Sequence, residues 1–363
     1  MKKILVVGQT PPPYGGQAVM IQHLVEHQFS NVEIYHIRMA FSRGMKDMGK
    51  LQFYKIMHLL KIIAKMYYYR ICKQANILYY PPSGPNSAVF RDMMILFPTR
   101  WMFRKTIFHF HASGLSEHQK RKNKIFQFIF KKCFFCPDVA IQLSKSCPNE
   151  GLAIHAKKIE IVPNGLPDEA YVKNDPKQTS RLNILFIGLL EESKGELDLC
   201  KAVKILKERG IECCVKIAGE FKSVEYRERF FKFISENDLT ENIEYLGIIR
   251  GQKKQNAFQN SDVFCFPSYF HSESFPLVLI EAMSYGLPIV TTRWRGIVDM
   301  VKDGYNGYLV EIKSPKMVAE KLQLLFENID LRKQIGEHSR SEFEMKYEIG
   351  QHLKMMENVF NNI

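Results

Sequence analysis

Residues 262–292 read DVFCFPSYFHSESFPLVLIEAMSYGLPIVTT: a short apolar run, a polar loop, a longer apolar run and a second short apolar run. DVFCFPS at the start is typical of a buried strand, and PIVTT at the end is typical of another. Between them, Pro276 suits the first turn of a helix, where its missing N–H costs nothing, and Gly286 suits a left-handed helix end. The stretch therefore predicts a strand, a helix to about Tyr285 and a second, parallel strand.

The same alternation of short apolar runs with helical patterns extends in both directions. Strands are predicted at KKILVVG, VEIYHI, NILYY, TIFHFH, DVAIQLS and IEIVPNG, and then at NILFIG, ECCVKIAG, IEYLG, DVFCFPS, PIVTT and GYLV. Residues 162–181, rich in Pro, Asn, Asp and Lys, separate the two arrays. We therefore predict an α/β fold with two doubly wound domains facing each other across a cleft. The predicted bounds are residues 1–165, a linker at 166–181 and a second domain at 182–342.

Composition limits the kind of protein. The chain has 363 residues, of which 46% are hydrophobic and 25% charged, as in soluble globular proteins. It has no apolar stretch long enough to span a membrane, and the run at residues 4–7 is too short for a secretion signal. We therefore expect a cytosolic protein with eight reduced cysteines. The one CxxC pair, Cys133 and Cys136, lacks a second pair at zinc-site spacing, which favours buried thiols over a zinc or redox site.

Basic charge is concentrated in the first half of the chain. Residues 1–180 hold 26 Lys and Arg against 11 Asp and Glu, whereas residues 181–363 hold 25 against 27. This asymmetry indicates an anionic partner, which is nucleic acid, a membrane surface or a phosphate-rich substrate. Residues 51–74 and 121–135 are predicted as basic amphipathic helices on an anionic bilayer; the alternative is sheet-covering helices with solvated basic faces. No nucleic-acid-reading motif appears, so we expect no nucleic-acid partner.

Two carboxylates, Glu273 and Glu281, stand eight residues apart around the start of the predicted helix. Glu273 lies in the preceding loop, and Glu281 lies about one and a half turns inside, some 7 Å along the axis. Between them, the first-turn amides of Phe275, Leu277 and Val278 favour an anion. Because carboxylates accept sugar and ribose O–H bonds, this element fits a sugar, a diphosphate and a ribose. The alternatives are helix capping by the first carboxylate and a buried ion pair for the second.

Three other candidates lie where predicted strands run into helices, the edge at which parallel sheets bind ligands. Residues 14–16, YGG, offer backbone amides to an anion, and the alternative is a flexible turn. His111, after the strand TIFHFH, is a candidate ligand contact, whereas His109 within that strand is favoured as a core residue. Lys194 is a candidate phosphate counter-charge, and the alternative is a solvated surface lysine.

The E-x7-E pattern followed by AM-x-x-G-x-P-I-V-T-T, after a strand ending in PS, resembles the retaining glycosyltransferases of family four, or glycosyl transferases group 1. The order of GG in the first loop, His after an early strand, VPNG, G-x-L-x-x-x-K-G and DGYNGYLV agrees. The resemblance covers nearly the whole chain and is strongest over residues 184–311. It implies the GT-B architecture: two Rossmann-like domains, with the donor nucleotide-sugar held mainly by the second and the acceptor mainly by the first. It also implies that a last helix at 343–363 packs back onto the first domain.

The resemblance also implies a role for each matching residue. Glu281 binds the ribose hydroxyls, Glu273 holds the donor sugar, and Lys194 neutralises the diphosphate. His111 contacts the transferred sugar near the reacting carbon, so that the implied catalytic residues are His111, Lys194 and Glu273. The other implied donor contacts are Gly15, Gly16, Gly188, Arg250, Ser274, Phe275, Pro276 and Leu277.

One position departs from the family pattern. The arginine that usually follows the Gly of the G-R-L-x-x-x-K-G motif is Leu189 here, and Arg293 and Arg295 are the candidates to replace it as phosphate contacts. In addition, SFP around Phe275 replaces the usual GFG. No metal is needed if Lys194, helix N-termini and an arginine stabilise the departing diphosphate, so we expect neither metal nor cofactor.

These expectations combine into one leading function. It is a retaining, metal-independent transfer of sugar from a UDP- or GDP-linked donor to a glycan acceptor, expected to be lipid-linked. The product is a surface polysaccharide (capsule, O-antigen or exopolysaccharide), made at the inner face of the cytoplasmic membrane. Two alternatives stay open. A sugar-nucleotide epimerase or hydrolase on the same fold turns over donor without acceptor, and a non-enzymatic nucleic-acid-binding protein binds RNA or DNA in a salt-sensitive way.

Overall fold

The computed structural model describes residues 1–41, 53–84, 88–120, 123–170 and 180–363, with the backbone alone at 119 and 120. Parts of three predicted segments lie outside the described residues: 171–179 of the linker, 51–52 of the first basic segment and 121–122 of the second. The chain divides into two compact units, residues 1–164 with 350–363, and residues 165–349.

The sheet of the first unit has six parallel strands among the described residues, in the order β2-β1-β3-β4-β5-β6. They are β1 Lys2–Gly8, β2 Val32–Arg38, β3 Ile77–Tyr80, β4 Lys105–Phe110, β5 Val139–Gln142 and β6 Lys158–Ile161. The order reverses between β1 and β3, so this sheet is doubly wound, as predicted.

The sheet of the second unit also has six parallel strands within the described ranges, in the order β12-β11-β10-β7-β8-β9. They are β7 Leu182–Ile187, β8 Cys213–Ala218, β9 Ile243–Gly247, β10 Val263–Phe266, β11 Ile289–Thr292 and β12 Gly307–Val310. Here the order reverses between β7 and β10. Ligands of open α/β sheets bind outside the carboxyl ends of the strands at such a reversal.

Helices connect the strands and cover the sheets. They are α1 Gly16–Glu26, α2 Phe53–Ile71, α3 Ala88–Thr99, α4 Lys124–Phe134, α5 Glu150–Ala153, α6 Glu196–Glu208, α7 Val224–Glu236, α8 Gln252–Gln259, α9 Leu277–Ser284, α10 Ile297–Met300, α11 Pro315–Glu327, α12 Ile329–Glu342 and α13 Ile349–Asn361. A π-helical segment, Phe343–Tyr347, lies between α12 and α13. None of the described helices has both the length and the hydropathy that crossing a bilayer requires.

The burial of β1 explains why the first sheet needs helices on both faces. Successive strand residues point to opposite faces, and all four residues from Ile4 to Val7 are buried. Ile4 and Val6 belong to the core under α1 and α13, whereas Leu5 and Val7 belong to the core under α2, α3 and α4. Each face of the sheet therefore has its own hydrophobic core.

The strand–helix–strand prediction for residues 262–292 is confirmed by β10, α9 and β11, with two small differences. Pro276 is the N-cap of α9 rather than a residue of its first turn, and the helix ends at Ser284, one residue before Tyr285. Gly286 has a φ of +66°, the left-handed conformation that was predicted to stop the helix.

Two further details differ from the sequence-based expectations. Residues 343–349 group with the second unit, because Leu166 hydrogen-bonds through its backbone to Tyr347 and Ile349, and the return to the first unit begins at Gly350. Cys133 is buried as predicted, but Cys136 is exposed, since the chain turns there with a φ of +53° after the end of α4.

Candidate active site

The loops after β7 and β10 flank the strand-order reversal of the second sheet, and they bring two candidate residues together. Lys194 Nζ donates to Glu273 Oε2 over 2.5 Å, and only 13% and 11% of the two side chains are exposed. Ser268 Oγ donates to the same carboxylate oxygen over 3.2 Å. A largely buried ion pair thus lies at the edge of the sheet where ligands bind.

Lys194 is held by its neighbours as well as by the carboxylate. Its Nζ lies 4.3 Å from the centroid of the Phe270 ring and 5.7 Å from that of Phe266, and the faces of aromatic rings attract a cation. The next residue, Gly195, has a φ of +84°, and a Cβ there would lie 2.2 Å from the carbonyl oxygen of Pro267. The close approach of the two loops therefore requires a glycine after the lysine.

Glu281, the second predicted carboxylate, lies on α9, and only one of its two carboxylate oxygens has a hydrogen-bond partner among the described residues. Its Oε1 accepts a hydrogen bond from Lys254 on α8, while its Oε2 is buried and has no partner among the residues that the structure describes. Burial raises the pKa of Glu281, and the nearby Lys254 opposes that shift. One carboxylate oxygen is therefore left to accept a hydrogen bond from a ligand hydroxyl. No sequence pattern indicated Lys254, which stands 27 residues away.

The loop before α9 and the first turn of that helix hold the remaining candidates of this stretch. The Phe275 ring is buried against Tyr347, with 5.7 Å between ring centroids, so only its backbone is available to a ligand. The α9 N-terminus has no side-chain cap, and no acceptor for the amides of Leu277 and Val278 is found within the described ranges. Buried beside them are Ser274 and Pro276.

The position of the absent family arginine lies immediately after β7. Leu189 is half-buried there, and the preceding Gly188 donates its amide to the carbonyl of Ala218 over 3.0 Å. Arg250 is exposed between β9 and α8, at the edge of the sheet. The role of Arg250 as a donor contact stays a prediction, and the candidates to replace the missing arginine are the two arginines of the loop after β11.

Arg293 is directed towards acidic groups. Its guanidinium lies 3.8 Å from Glu311 and 4.0 Å from Asp303, and half of its side chain is exposed. Arg293 thus has two acidic neighbours within 4.0 Å among the described residues, and its role as a phosphate contact stays a prediction.

Arg295 differs from it in conformation and surroundings. Its φ is +42°, unusual for a residue with a side chain, and its Nη1 is buried without an acceptor in the described part of the chain. Its guanidinium lies 5.5 Å from the Trp294 ring centroid, and Trp294 Nε1 donates to the carbonyl of Phe270 over 2.9 Å. Because the Phe270 ring also packs on Lys194, Arg295 belongs to the same group of loops as the lysine.

In the first unit, His111 directly follows β4 and packs against His109, with 4.1 Å between ring centroids and the rings tilted by 30°. Neither ring nitrogen of His111 has a partner among the described residues, and burial, with His352 of α13 adding to it, lowers its pKa to about 3. His109 is buried in the core, where Nδ1 shares a 2.6 Å hydrogen bond with the hydroxyl of Tyr79. His111 is therefore a neutral imidazole whose two buried ring nitrogens have no hydrogen-bond partner among the described residues.

The glycines of the first loop are exposed. Gly15 precedes α1 in extended conformation, Gly16 is its first residue, and a Cβ on Gly15 would meet no atom within 4 Å. Arg38 holds this loop by donating to the carbonyls of Thr10, over 3.2 Å, and Pro12, over 2.5 Å. Open space above the α1 N-terminus is compatible with an anion, but it does not require one.

Residues 168–342 match the family model for glycosyl transferases group 1. The capsular polysaccharide biosynthesis glycosyltransferase CapM of Staphylococcus aureus is 27% identical over 251 residues, which are 63% of this chain and 64% of CapM. An uncharacterised glycosyltransferase of Methanocaldococcus jannaschii is 27% identical over 72% of this chain and 70% of its own length. The aligned segment thus spans less than two thirds of CapM.

The whole chain also has a solved structural relative. Anabaena HepE, crystallised with UDP and glucose, covers 100% of both chains with a TM-score of 0.72 at 16% sequence identity. This likeness establishes the GT-B fold that the sequence predicted. Residues 168–342, nearly half of the chain and most of its second unit, are thus similar to the glycosyl transferases group 1 family.

Proposed function

We propose that the protein is a retaining, metal-independent glycosyltransferase that moves a sugar from a UDP- or GDP-linked donor to a glycan acceptor. The observation that carries the proposal is the Lys194–Glu273 ion pair at the strand-order reversal, with Glu281 on the adjacent helix. A lysine suits the diphosphate of such a donor, and the two carboxylates suit hydroxyls of the sugar and the ribose. The UDP and glucose bound in HepE support this donor class.

In this proposal, the donor opens the Lys194–Glu273 pair. Its diphosphate carries more negative charge than one carboxylate, so it displaces Glu273 from the lysine and leaves that carboxylate to accept sugar hydroxyls. The amides of Leu277 and Val278 offer further donors to the diphosphate. The ion pair of the free protein is thus a resting arrangement, in which each charged group is neutralised until the donor arrives.

The transfer step follows from this arrangement. The bond from the anomeric carbon to the diphosphate oxygen breaks while the acceptor hydroxyl attacks from the same face, and the hydroxyl proton passes to the departing diphosphate. Lys194 and the α9 amides stabilise the charge that develops on the leaving group. Glu273 positions the sugar, and the neutral imidazole of His111 contacts the transferred sugar, as the family resemblance implies.

We assign the second phosphate contact to Arg295 in place of the absent family arginine. Its buried Nη1 has no acceptor among the described residues, whereas Arg293 is already paired with two carboxylates. Together with Lys194 it gives the diphosphate two cations, so the proposal includes no metal. Transfer that continues unchanged in EDTA is the expected result, and a requirement for a divalent cation would contradict it.

For the acceptor, we propose a lipid-linked glycan of a surface polysaccharide such as a capsule, an O-antigen or an exopolysaccharide. The enzyme then works in the cytoplasm, at the inner face of the cytoplasmic membrane. The basic first half of the chain supports an anionic surface as partner, and the name of CapM supports capsule synthesis as the setting.

A calorimetric screen of UDP-, GDP- and ADP-sugars tests the donor, with binding of a UDP- or GDP-sugar as the expected outcome. The anomeric configuration of the product, read by NMR, tests retention, since an inverted product contradicts it.

Rapid donor turnover without any acceptor would favour a hydrolase or epimerase. Tight, salt-sensitive RNA binding without affinity for any nucleotide-sugar would contradict a glycosyltransferase altogether.

A further inference from the structure

The outer surface of α2, α3 and α4, together with the turn that follows α3, is unusually apolar. Twelve of the twenty large apolar side chains exposed among the described residues lie there. Trp101, in the turn, is 74% exposed, and Ile71 at the end of α2 and Phe128 on α4 are 67% and 58% exposed. By contrast, the two helices on the opposite face of the sheet, α1 and α13, have one such side chain among their described residues, Met355.

A groove of about 680 Å³ runs into this surface beside Trp101. Five of the eleven residues that line it are aromatic, among them Tyr67 of α2, Phe97 of α3 and Phe128 of α4. Several polar groups of the wall are already bonded. The indole N–H of Trp101 and the hydroxyl of Tyr67 both donate to the carbonyl of Pro98, over 2.7 and 3.0 Å, and Asp138 accepts from Lys157 over 2.9 Å. Lys132, also in the wall, has its Nζ 5.8 Å from the centroid of the Phe128 ring. A groove of this composition suits hydrocarbon better than a polar ligand.

Arg100, which also lines this groove, has its guanidinium hydrogen-bonded within the protein. Arg100 donates to the carbonyls of Cys133, over 2.8 Å, and Phe135, over 2.7 Å, at the end of α4. It fastens the turn that carries Trp101 to that helix, so the exposed indole stands on a rigid support.

Positive charge surrounds the apolar surface. α2 and α4 carry no Asp or Glu, and α3 has one acid, Asp92, which is buried and paired with Arg91 over 2.8 Å. The basic side chains of α2 and α4 are Lys55, Lys61, Lys65, Arg70, Lys124, Lys131 and Lys132. A second copy of this chain would bring the same positive charge against it, whereas an anionic bilayer offers both hydrocarbon and negative charge.

We infer that the α2–α4 face is a docking surface for a bilayer of anionic phospholipid. Trp101, Phe97 and Phe128 enter the interfacial layer, and the surrounding lysines meet lipid phosphates. The reason for docking rests on the proposed function, because a membrane-bound enzyme would reach a lipid-linked acceptor. The physical argument for docking does not depend on it. It adds α3 and Trp101, which the two basic segments of the sequence did not include.

The two tryptophans of the chain, Trp101 and Trp294, allow a direct test. In Trp294→Phe, Trp101 is the sole tryptophan, and its emission should shift to the blue on vesicles of phosphatidylcholine with phosphatidylglycerol. Brominated acyl chains should quench it, and vesicles of phosphatidylcholine alone should do neither. Trp101→Phe, which keeps Trp294, is the control and should show no shift. An unchanged Trp101 emission with the anionic vesicles would overturn the inference.

Vesicle flotation of the full chain provides the second test. Lys131→Glu with Lys132→Glu should lower the partition coefficient by roughly fivefold or more for each residue, and Trp101→Ser should also lower it. The matched controls are Lys316→Glu in the second unit and Leu152→Ser, an exposed leucine on α5, and both should float like wild type. Trp101→Ser also removes the indole that donates to the carbonyl of Pro98, so melting temperatures check that each variant is folded.

The docking surface and the proposed function can fail independently of each other in these experiments. Binding of a nucleotide-sugar needs no lipid, so the docking variants should bind donor like wild type. Flotation that ignores phosphatidylglycerol, or a dimer in sedimentation that Trp101→Ser dissociates, would overturn the docking surface and leave the donor site standing. A fall in kcat in Lys194→Ala, with flotation intact, would concern the active site only.

Discussion

The two units are built on the same plan and differ in what they present to ligands. Each has six parallel strands in a doubly wound order among the described residues, with the order reversing at β1/β3 in one unit and at β7/β10 in the other. The second unit places a lysine, two glutamates and a free helix N-terminus near its reversal, in a half of the chain that is close to neutral. The first presents neutral histidines, an exposed glycine loop and a basic, apolar helical face.

This difference shows that two units with the same fold can have different functions. Parallel strands need apolar residues on both faces, and both units satisfy that requirement. Chemistry comes from the loops and the outer surfaces, which the requirement leaves free. A substitution in one unit should therefore affect the role of that unit alone.

The largest effect is expected from Lys194→Ala. Removing the cation from the departing diphosphate should lower kcat by about a hundredfold or more, as for the loss of one oxyanion donor, with a smaller change in donor affinity. Transfer assays across donor concentrations measure both quantities. The control is Lys316→Ala, an exposed lysine of the same unit. A kcat within a factor of a few of wild type would remove Lys194 from the mechanism.

Glu281→Ala should act mainly on binding. It deletes the free oxygen proposed to accept ribose hydroxyls and leaves Lys254 without its partner, so nucleotide-sugar affinity should fall by roughly tenfold to a hundredfold. Calorimetry gives the Kd, and Glu320→Ala on the exposed side of α11 is the matched control. Equal affinity in the two variants would exclude Glu281 from the ribose site.

Gly195→Ala should destabilise the second unit. The new Cβ would lie 2.2 Å from the Pro267 carbonyl oxygen at a φ of +84°, so the loops that hold Lys194 must separate. We expect a loss in unfolding free energy of about 1–3 kcal/mol from the strained backbone and the displaced loop. Gly210→Ala is the control, because it shares a φ of +72° but meets no atom within 4 Å. Denaturant unfolding should separate the two; equal losses would mean that the close approach is unimportant.

The smallest effect concerns the histidines of the first unit. Burial lowers the pKa of His352 to about 4, below its ordinary value of 6.5, so the unfolded chain binds more protons than the folded one between those values. The unfolding free energy should therefore fall as the pH drops from 7 to 5, by roughly 1–2 kcal/mol for this one residue. His352→Gln should flatten that pH dependence, whereas His155→Gln, an exposed control, should not. An unchanged slope in His352→Gln would contradict the assignment.

The sequence predicted the features that depend on neighbouring residues, but not the contacts between residues far apart in the chain. Apolar periodicity predicted both arrays of strands, and the Pro276 and Gly286 signals placed the ends of α9 within a residue, because these features are local. The pairing of Lys194 with Glu273 and of Lys254 with Glu281 joins residues 79 and 27 positions apart, and no local pattern encodes it. The same holds for Arg293, whose acidic neighbours became apparent only in the structure.

The outer face of α3 marks another limit of sequence reasoning. AVFRDMMILFPT has apolar residues all round, so its pattern does not tell the buried Ile95 and Leu96 from the exposed Met94 and Phe97. The role of each predicted site residue, and the exact bounds of the two domains, stay predictions until the measurements are made.

The most direct test of the central claim, that the second unit holds the donor, is hydrogen–deuterium exchange of the full chain with UDP-glucose and with GDP-mannose. With whichever compound binds, exchange should slow in residues 188–196 and 268–284, the loops and helix that carry Lys194, Glu273 and Glu281. Binding that slows exchange only in residues 1–164, and leaves both of these segments unchanged, would contradict the claim.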